Sequence, residues 1–135
     1  MQTKYKLNAA FNNLRKQGFI ARQNFSCCSS CAGYELASYV KELSPAKQAK
    51  VKGAITYTRQ DGQDAFEDRS RRWPYHNRGP RTLLIGYGPI GVHGVGDFGL
   101  PTAEVGQALK AALEAEGLQV DWDGDPDKRI AVTVG

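Results

Sequence analysis

The sequence predicts an α+β fold, a single compact domain in which a small, mostly antiparallel sheet packs against about three helices. Three observations predict it. Apolar residues recur at three- and four-residue spacing in separated stretches, short runs between them alternate with period two, and the chain closes on two β-rich runs joined by a turn containing Asp-Gly and Pro. At 135 residues the chain has the size of one domain and can bury a core without disulfide staples.

In "LNAAFNNLRKQG", Leu7, Ala10, Phe11 and Leu14 would line one face of a helix, which Gly18 closes, with Arg15 and Lys16 suited to the negative end of its dipole. "FIARQNF" then alternates Phe19, Ala21 and Phe25 against Ile20, Arg22 and Asn24, the period of a short strand. From Ser29 to Leu43 the spacing is helical again, with Ala32, Leu36, Tyr39, Val40 and Leu43 on one side, Ser29 or Ser30 as cap and Pro45 as stop. "GAITYT", residues 53–58, reads as a second strand. A long polar loop follows over about 59–82, with a short helix around Asp64 to Arg69.

"TLLIGY" supplies another strand and a glycine-rich loop occupies about 86–101. The clearest helix is "TAEVGQALKAALEAEG", with Val105, Ala108, Leu109, Ala112 and Leu113 as its apolar stripe, Thr102 as N-cap and Gly117 just past its end. "LQVDW" and "RIAVTV" form the closing hairpin.

Composition narrows the functional classes. No run reaches the roughly 18 apolar residues that a membrane span requires, and the start "MQTKYKLNAAF" lacks a secretory core, so the expectation is a cytoplasmic protein with no membrane partner. Three cysteines within five residues do not make a framework of distant bridges; reduced thiols are expected. A net charge of +4 is a mild bias towards anionic partners, below the excess of a dedicated nucleic-acid binder.

Two motif-like stretches resolve to simpler readings. Gly86, Gly88 and Gly91 spell G-x-G-x-x-G after a strand, but Pro89 interrupts it and the next helix waits until about Thr102, whereas a dinucleotide loop must open a helix at once. A flexible connection, or at most a nest of backbone amides, accounts for them. In "DWDGDPDK", Asp123, Asp125 and Asp127 imitate the start of a calcium loop, yet Lys128 and Val134 stand where that loop needs glycine and glutamate. A solvated turn suffices.

The most specific stretch is "FSCCSSCAGYELASYV". Cys28 and Cys31 form C-x-x-C at a helix start, where the dipole favours thiolate. Cys27, Cys28 and Cys31 could hold a metal, zinc being the expected ion, with His76 or His93 as a fourth ligand; adjacent cysteines are awkward in one tetrahedron and no second C-x-x-C exists. Thiol–disulfide exchange is the second reading, although the surrounding βαβ context is missing. The third is structural: small, soft side chains packed at a helix start, with no cofactor.

These residues carry a resemblance. "GFIARQNFSCCSSCAGYEL", the pair Gln60–Asp61, the strand "LLIGYG", the helix "VGQALKAALEAEGL" and the ending "VDWDGDPDKRIAV" resemble an uncharacterised family of small bacterial domains. The resemblance covers most of the chain in the same order. It implies that Cys27, Cys28, Cys31, Gln60, Asp61, Trp122, Asp123 and Arg129 occupy the motif positions, and it implies no reaction. Thr58 and Arg59 stand where the family places an aromatic residue and a histidine, which weakens any shared histidine-based chemistry.

"RSRRWPYHNRGPR" is particular to this chain. Arg69, Arg71, Arg72, Arg78 and Arg81, interleaved with Trp73, Tyr75 and His76, combine the guanidinium fork with aromatic stacking surfaces. Such a loop would bind an acidic protein, a small anionic ligand or single-stranded nucleic acid; alternatively its arginines pair with Asp61, Asp64, Glu67 and Asp68. No nucleophile–base pair and no complete metal quartet is legible. The sequence therefore favours a non-catalytic binding protein, on the analogy of small inhibitors such as phage proteins that block host defence, over a cysteine-centred metal or redox protein.

Overall fold

A computed structural model describes residues 2–66 and 81–134. Helix α1, Gln2–Gln17, buries Leu7, Ala10, Phe11 and Leu14 completely, the predicted stripe, and begins earlier than its apolar spacing indicates. Arg15, expected to favour the helix end by charge alone, donates from Nε to the Ala21 carbonyl at 2.7 Å and so fastens α1 to strand β1, Ile20–Arg22. Helix α2, Ser29–Lys41, is followed by the single turn α3, Pro45–Gln48, in which Ser44 Oγ accepts from the Lys47 amide. Strand β2, Ala54–Thr56, leads into helix α4, Arg59–Phe66, and strand β3, Thr82–Gly88, resumes the chain.

The predicted strand over residues 19–25 is cut to three residues, because Asn24 (φ 51°) and Ser26 (φ 63°) adopt left-handed backbone. That conformation costs a non-glycine residue about 1 kcal/mol or more, and it rotates Phe25 off the Phe19 and Ala21 face. Tyr39 and Leu43 also leave the predicted stripe of α2, whose buried residues are Ala32, Leu36 and Val40; the Tyr39 ring is exposed under the Arg22 guanidinium instead.

Two more differences concern connections. The glycine-rich stretch expected as a loop contains a hairpin of β4, Ile90–Val92, and β5, Gly96–Phe98, because Ile90 and Val92 have an apolar surface to bury against α2. Helix α5, Thr102–Ala115, takes Pro101 as its N-cap, with Thr102 already its first residue. Its other end is as predicted. Gly117 (φ +81°) sends its amide to the Glu114 carbonyl and Leu118 sends its own to Leu113, the paired bonds of a Schellman stop. Strands β6, Val120–Asp121, and β7, Ile130–Thr133, complete the expected hairpin.

The main sheet has the order β1-β2-β3-β7-β6, antiparallel throughout except for the parallel pair β1–β2. Central β3 is shared unequally: residues 82–85 pair with β7, and residues 86–88 pair with β2 on the opposite side. Alternation divides the interior. Ile55, Leu83, Ile85, Ile130 and Val132 face a core closed by α1 and α5, while Ala54, next to Ile55, faces a smaller cluster made by Leu36 and Val40 of α2 with Ile90 and Val92. The layers are two helices, the sheet, and then α2 with the small hairpin. No helix among the described residues is long and apolar enough to cross a membrane.

Candidate thiol centre and adjoining cleft

The left-handed turn at Asn24 and Ser26 places the cysteine segment beside the start of α4. Phe25 donates its amide to the Tyr57 carbonyl at 2.9 Å, Arg59 donates to Ser26 at 2.9 Å, and Gln60 donates to Cys27 at 3.4 Å. The carbonyls of the cysteine segment thus accept from amides of the first turn of α4 that have no partner within the helix. The same turn is closed by a capping box. The Asp61 amide donates to Thr58 Oγ1 at 3.2 Å, and Asp61 Oδ2 accepts from the Thr58 amide at 3.0 Å and from its hydroxyl at 2.9 Å. Helix α4 consequently starts several residues before the helix expected around Asp64, and Gln60–Asp61 belongs to its first turn.

Arg129, just before β7, joins the two helix starts. Its Nη1 lies 2.9 Å from Asp61 Oδ1 and its Nη2 donates to Ser29 Oγ, the first residue of α2, at 2.8 Å. Among the described residues, Asp61 is bound by Arg129 and Thr58. The Gln-Asp motif, the cysteine motif and the Arg-Ile motif, far apart in the chain, meet here.

Cys28, not Ser29 or Ser30, is the N-cap of α2, in extended backbone. The sulfur atoms of Cys27, Cys28 and Cys31 all lie within 4.8 Å of one another, and the Cys27 thiol donates to Cys28 Sγ at 3.7 Å. The three are free thiols, with Cys27 and Cys31 exposed. Cys28 Sγ makes no capping bond of ordinary geometry, yet the Cys31 amide and then the Cys27 thiol hold its proton affinity below the usual thiol range. Cys31 is pushed up to about 11, because it donates to Cys27 and Cys28 and then meets their negative charge. Cys28 therefore ionises before Cys31.

This asymmetry fixes an order of reaction with an alkylating reagent. Cys28 is expected to be modified at lower pH than Cys31, whose rate still climbs as pH approaches 11. Peptide mass spectrometry after short iodoacetamide pulses across the pH range checks it, and equal rates at Cys28 and Cys31 would show that the cluster does not hold together.

A cleft of about 540 Å³ adjoins the centre. Ser29, Ala32, Gly33 and Leu36, one face of α2, form one wall. Ala54 and Thr56 of β2 and Gly86 to Gly88 of β3 form the other, with Pro89 and Ile90 at the apolar end and Thr58, Asp61 and Arg129 at the polar end. The volume comes from missing side chains. A Cβ at Gly33 would meet nothing within 4 Å, and one at Gly86 only the Thr56 carbonyl oxygen at 3.6 Å. Gly86 and Gly88 lie within β3 and Gly91 within β4, so the G-x-G-x-x-G glycines form part of a wall of this cleft.

The remaining motif residues support the site from behind. Trp122 packs edge-on against Tyr87 at 5.5 Å between ring centres and donates from Nε1 to the Asp125 carbonyl at 3.0 Å. The Tyr87 hydroxyl donates within the same turn, where the carbonyls of Asp125 and Lys128 both lie within hydrogen-bonding distance. Asp123 Oδ1 accepts from the Asp125 amide at 2.9 Å and its Oδ2 lies 3.2 Å from Lys128 Nζ, so the expected solvated turn is stiffened by its own side chains. Its Asp125 amide bond, and after it Lys128, keep the Asp123 carboxyl below its usual range. The turn carries Arg129 to the two helix starts.

Arg69, Arg71, Arg72, Trp73, Tyr75, His76 and Arg78 lie outside the described residues. Arg81, at the end of that segment, donates from Nη1 to the Phe66 carbonyl at 3.3 Å and accepts from the Val134 amide through its own carbonyl. His93 is exposed in the turn between β4 and β5. Among the described residues it is not part of the three-sulfur group. Sequence reasoning assigned no role to the cleft; the one signal for it was the clustering of glycines at 86, 88 and 91 opposite a helix that carries Gly33.

Fold and site together define a small α+β domain that carries an exposed three-thiol cluster at the junction of two helix starts. The chain belongs to the family described as Domain of unknown function (DUF6891), whose model matches residues 2–134. No curated protein and no solved structure matches the chain.

Proposed function

We propose that the domain is a metal-binding protein in which Cys27, Cys28 and Cys31 hold one thiophilic ion of the zinc class. The observation that carries this reading is the spacing of the sulfurs. A tetrahedron with Zn–S bonds of about 2.3 Å has edges of about 3.8 Å, and Cys27 Sγ and Cys28 Sγ stand 3.7 Å apart. Adjacent cysteines, awkward in one tetrahedron on sequence grounds, are thus compatible with it here because Cys28 sits in extended backbone at the helix cap. Cys31 lies within 4.8 Å of both and closes the sulfur face.

Three thiolates leave one position of a four-coordinate ion for water or for a donor from a partner molecule. Binding displaces thiol protons, that of Cys31 held more tightly than that of Cys28, so affinity rises with pH through the thiol range. Residues 69–78 of the arginine and aromatic loop lie outside the described residues, whereas the three thiols stand together in one cluster.

Protein purified without chelator and kept reduced is expected to carry close to one equivalent of zinc or a similar ion, with its thiols shielded from a thiol reagent until a strong chelator is added. Three thiols that titrate at once, in protein that retains no metal after loading with zinc and desalting, would overturn the proposal.

A further inference from the structure

We infer that the cleft between α2 and the β2–β3 end of the sheet is a binding site for a small monocarboxylate with an apolar body, seated with its carboxylate at Arg129. The cleft is amphipathic along its length. One end presents Leu36, Ala54, Pro89 and Ile90, and the other presents Ser29, Thr58, Asp61 and Arg129. Its size of about 540 Å³ lies within the range of ligand pockets, which run from about 300 to 1,000 Å³.

The polar end is rich in donors. Arg129 uses Nη1 on Asp61 and Nη2 on Ser29, and its side chain is 40% exposed. A guanidinium has five N–H groups in a planar fork, so further donors remain on the same two nitrogens. Ser29 Oγ accepts from Arg129 and keeps its own proton to give. Ser29 also opens α2, a helix with no acidic residue in its first turn, so the local backbone dipole favours negative charge. A head group that accepts hydrogen bonds fits.

Asp61 decides the charge of that head. Its carboxylate is bound to Arg129 and is only 16% exposed, so the pair is already neutral and offers hydrogen-bond donors without a surplus of positive charge. A dianion such as a phosphate monoester would add two negative charges beside Asp61, whereas a single carboxylate adds one, set against the positive end of α2 and the remaining N–H donors of the fork. The apolar end then accepts the body, along a channel kept open by Gly33 and Gly86. The site is independent of the proposed metal: it uses none of the three sulfurs, and the variant below leaves them in place.

The test uses hexanoate as probe, with hexanamide and hexyl phosphate as controls, read by amide shifts in a nitrogen-edited NMR titration. Hexanoate is expected to shift residues 29–36, 54–58 and 86–91 in one saturable process, and both controls to bind at least about tenfold more weakly. Gly33→Leu fills the cleft from an exposed helical position at which a Cβ meets nothing. Leucine is the better helix former, so this chain is expected to fold and to lose hexanoate binding by at least about tenfold. Arg129→Gln is expected to reduce binding of hexanoate and to leave that of hexanamide unchanged. Shifts scattered over the surface, equal binding of the three probes, or Gly33→Leu binding as the parent does would each overturn the assignment.

Discussion

Gly106→Leu is expected to destabilise the domain by about 3 kcal/mol, near the upper end of what overpacking a tight interior costs. Gly106 is buried in α5, and a Cβ there would stand 2.7 Å from Trp122 Cη2 and 2.8 Å from Tyr87 Cε2. Both contacts are rigid ring atoms. The gain in helix propensity over glycine, about 1 kcal/mol, does not offset the displacement of two interlocked rings. The melting temperature is expected to fall by roughly 10 °C, and Gly106→Ala by less. The consequence reaches the site, because Trp122 and Tyr87 hold the turn that carries Arg129. A thermal melt with a titration of hexanoate on the surviving folded protein separates the two effects. An unchanged melting temperature would show that the rings have room to move.

Cys28→Ser is expected to have the largest effect on metal binding. Removing an outer-shell partner of a metal lowers affinity roughly 10- to 100-fold, and loss of a thiolate ligand is expected to exceed that, while the metal-free chain melts within about 1 °C of the parent. The reason for the separation is exposure. Cys28 is only partly buried and its side chain makes no capping bond, and the backbone bonds from Ser26 and Cys27 to the start of α4 involve carbonyls that the substitution does not touch. Competition with a chromophoric zinc chelator, run alongside the melt, measures both. Equal zinc affinity in the two chains would remove Cys28 from the ligand set, and a large loss of stability in the metal-free variant would make the cluster a packing element.

The roles of the motif residues became separable only in three dimensions. Cys27, Cys28, Cys31, Gln60, Asp61 and Arg129 converge on two helix starts, whereas Trp122 and Asp123 shape the turn that delivers Arg129. The arginines of residues 69–81 read as a surface for an acidic protein, a small anionic ligand or single-stranded nucleic acid. The proposed site in the cleft uses the same chemistry at a different arginine, Arg129, which the family resemblance marks as a motif position without giving it a role.

The sequence by itself determined the class of fold, the stripes of α1 and α5, the closing hairpin and the Gly117 stop. All of these depend on spacing within one segment or on a residue's own backbone preference. It also marked the thiol cluster, since three cysteines in five positions need no fold to be near one another. Only the tertiary structure decided the rest. The capping of α2 by Cys28, the unequal sharing of β3 and the meeting of Asp61, Ser29 and Arg129 depend on which distant strand, carbonyl or charge arrives, whereas the start of α4 has a local signal in Thr58 and Asp61. Local periodicity carries no record of such arrivals, because the energy that selects them comes from contacts between segments 30 to 100 residues apart in the chain.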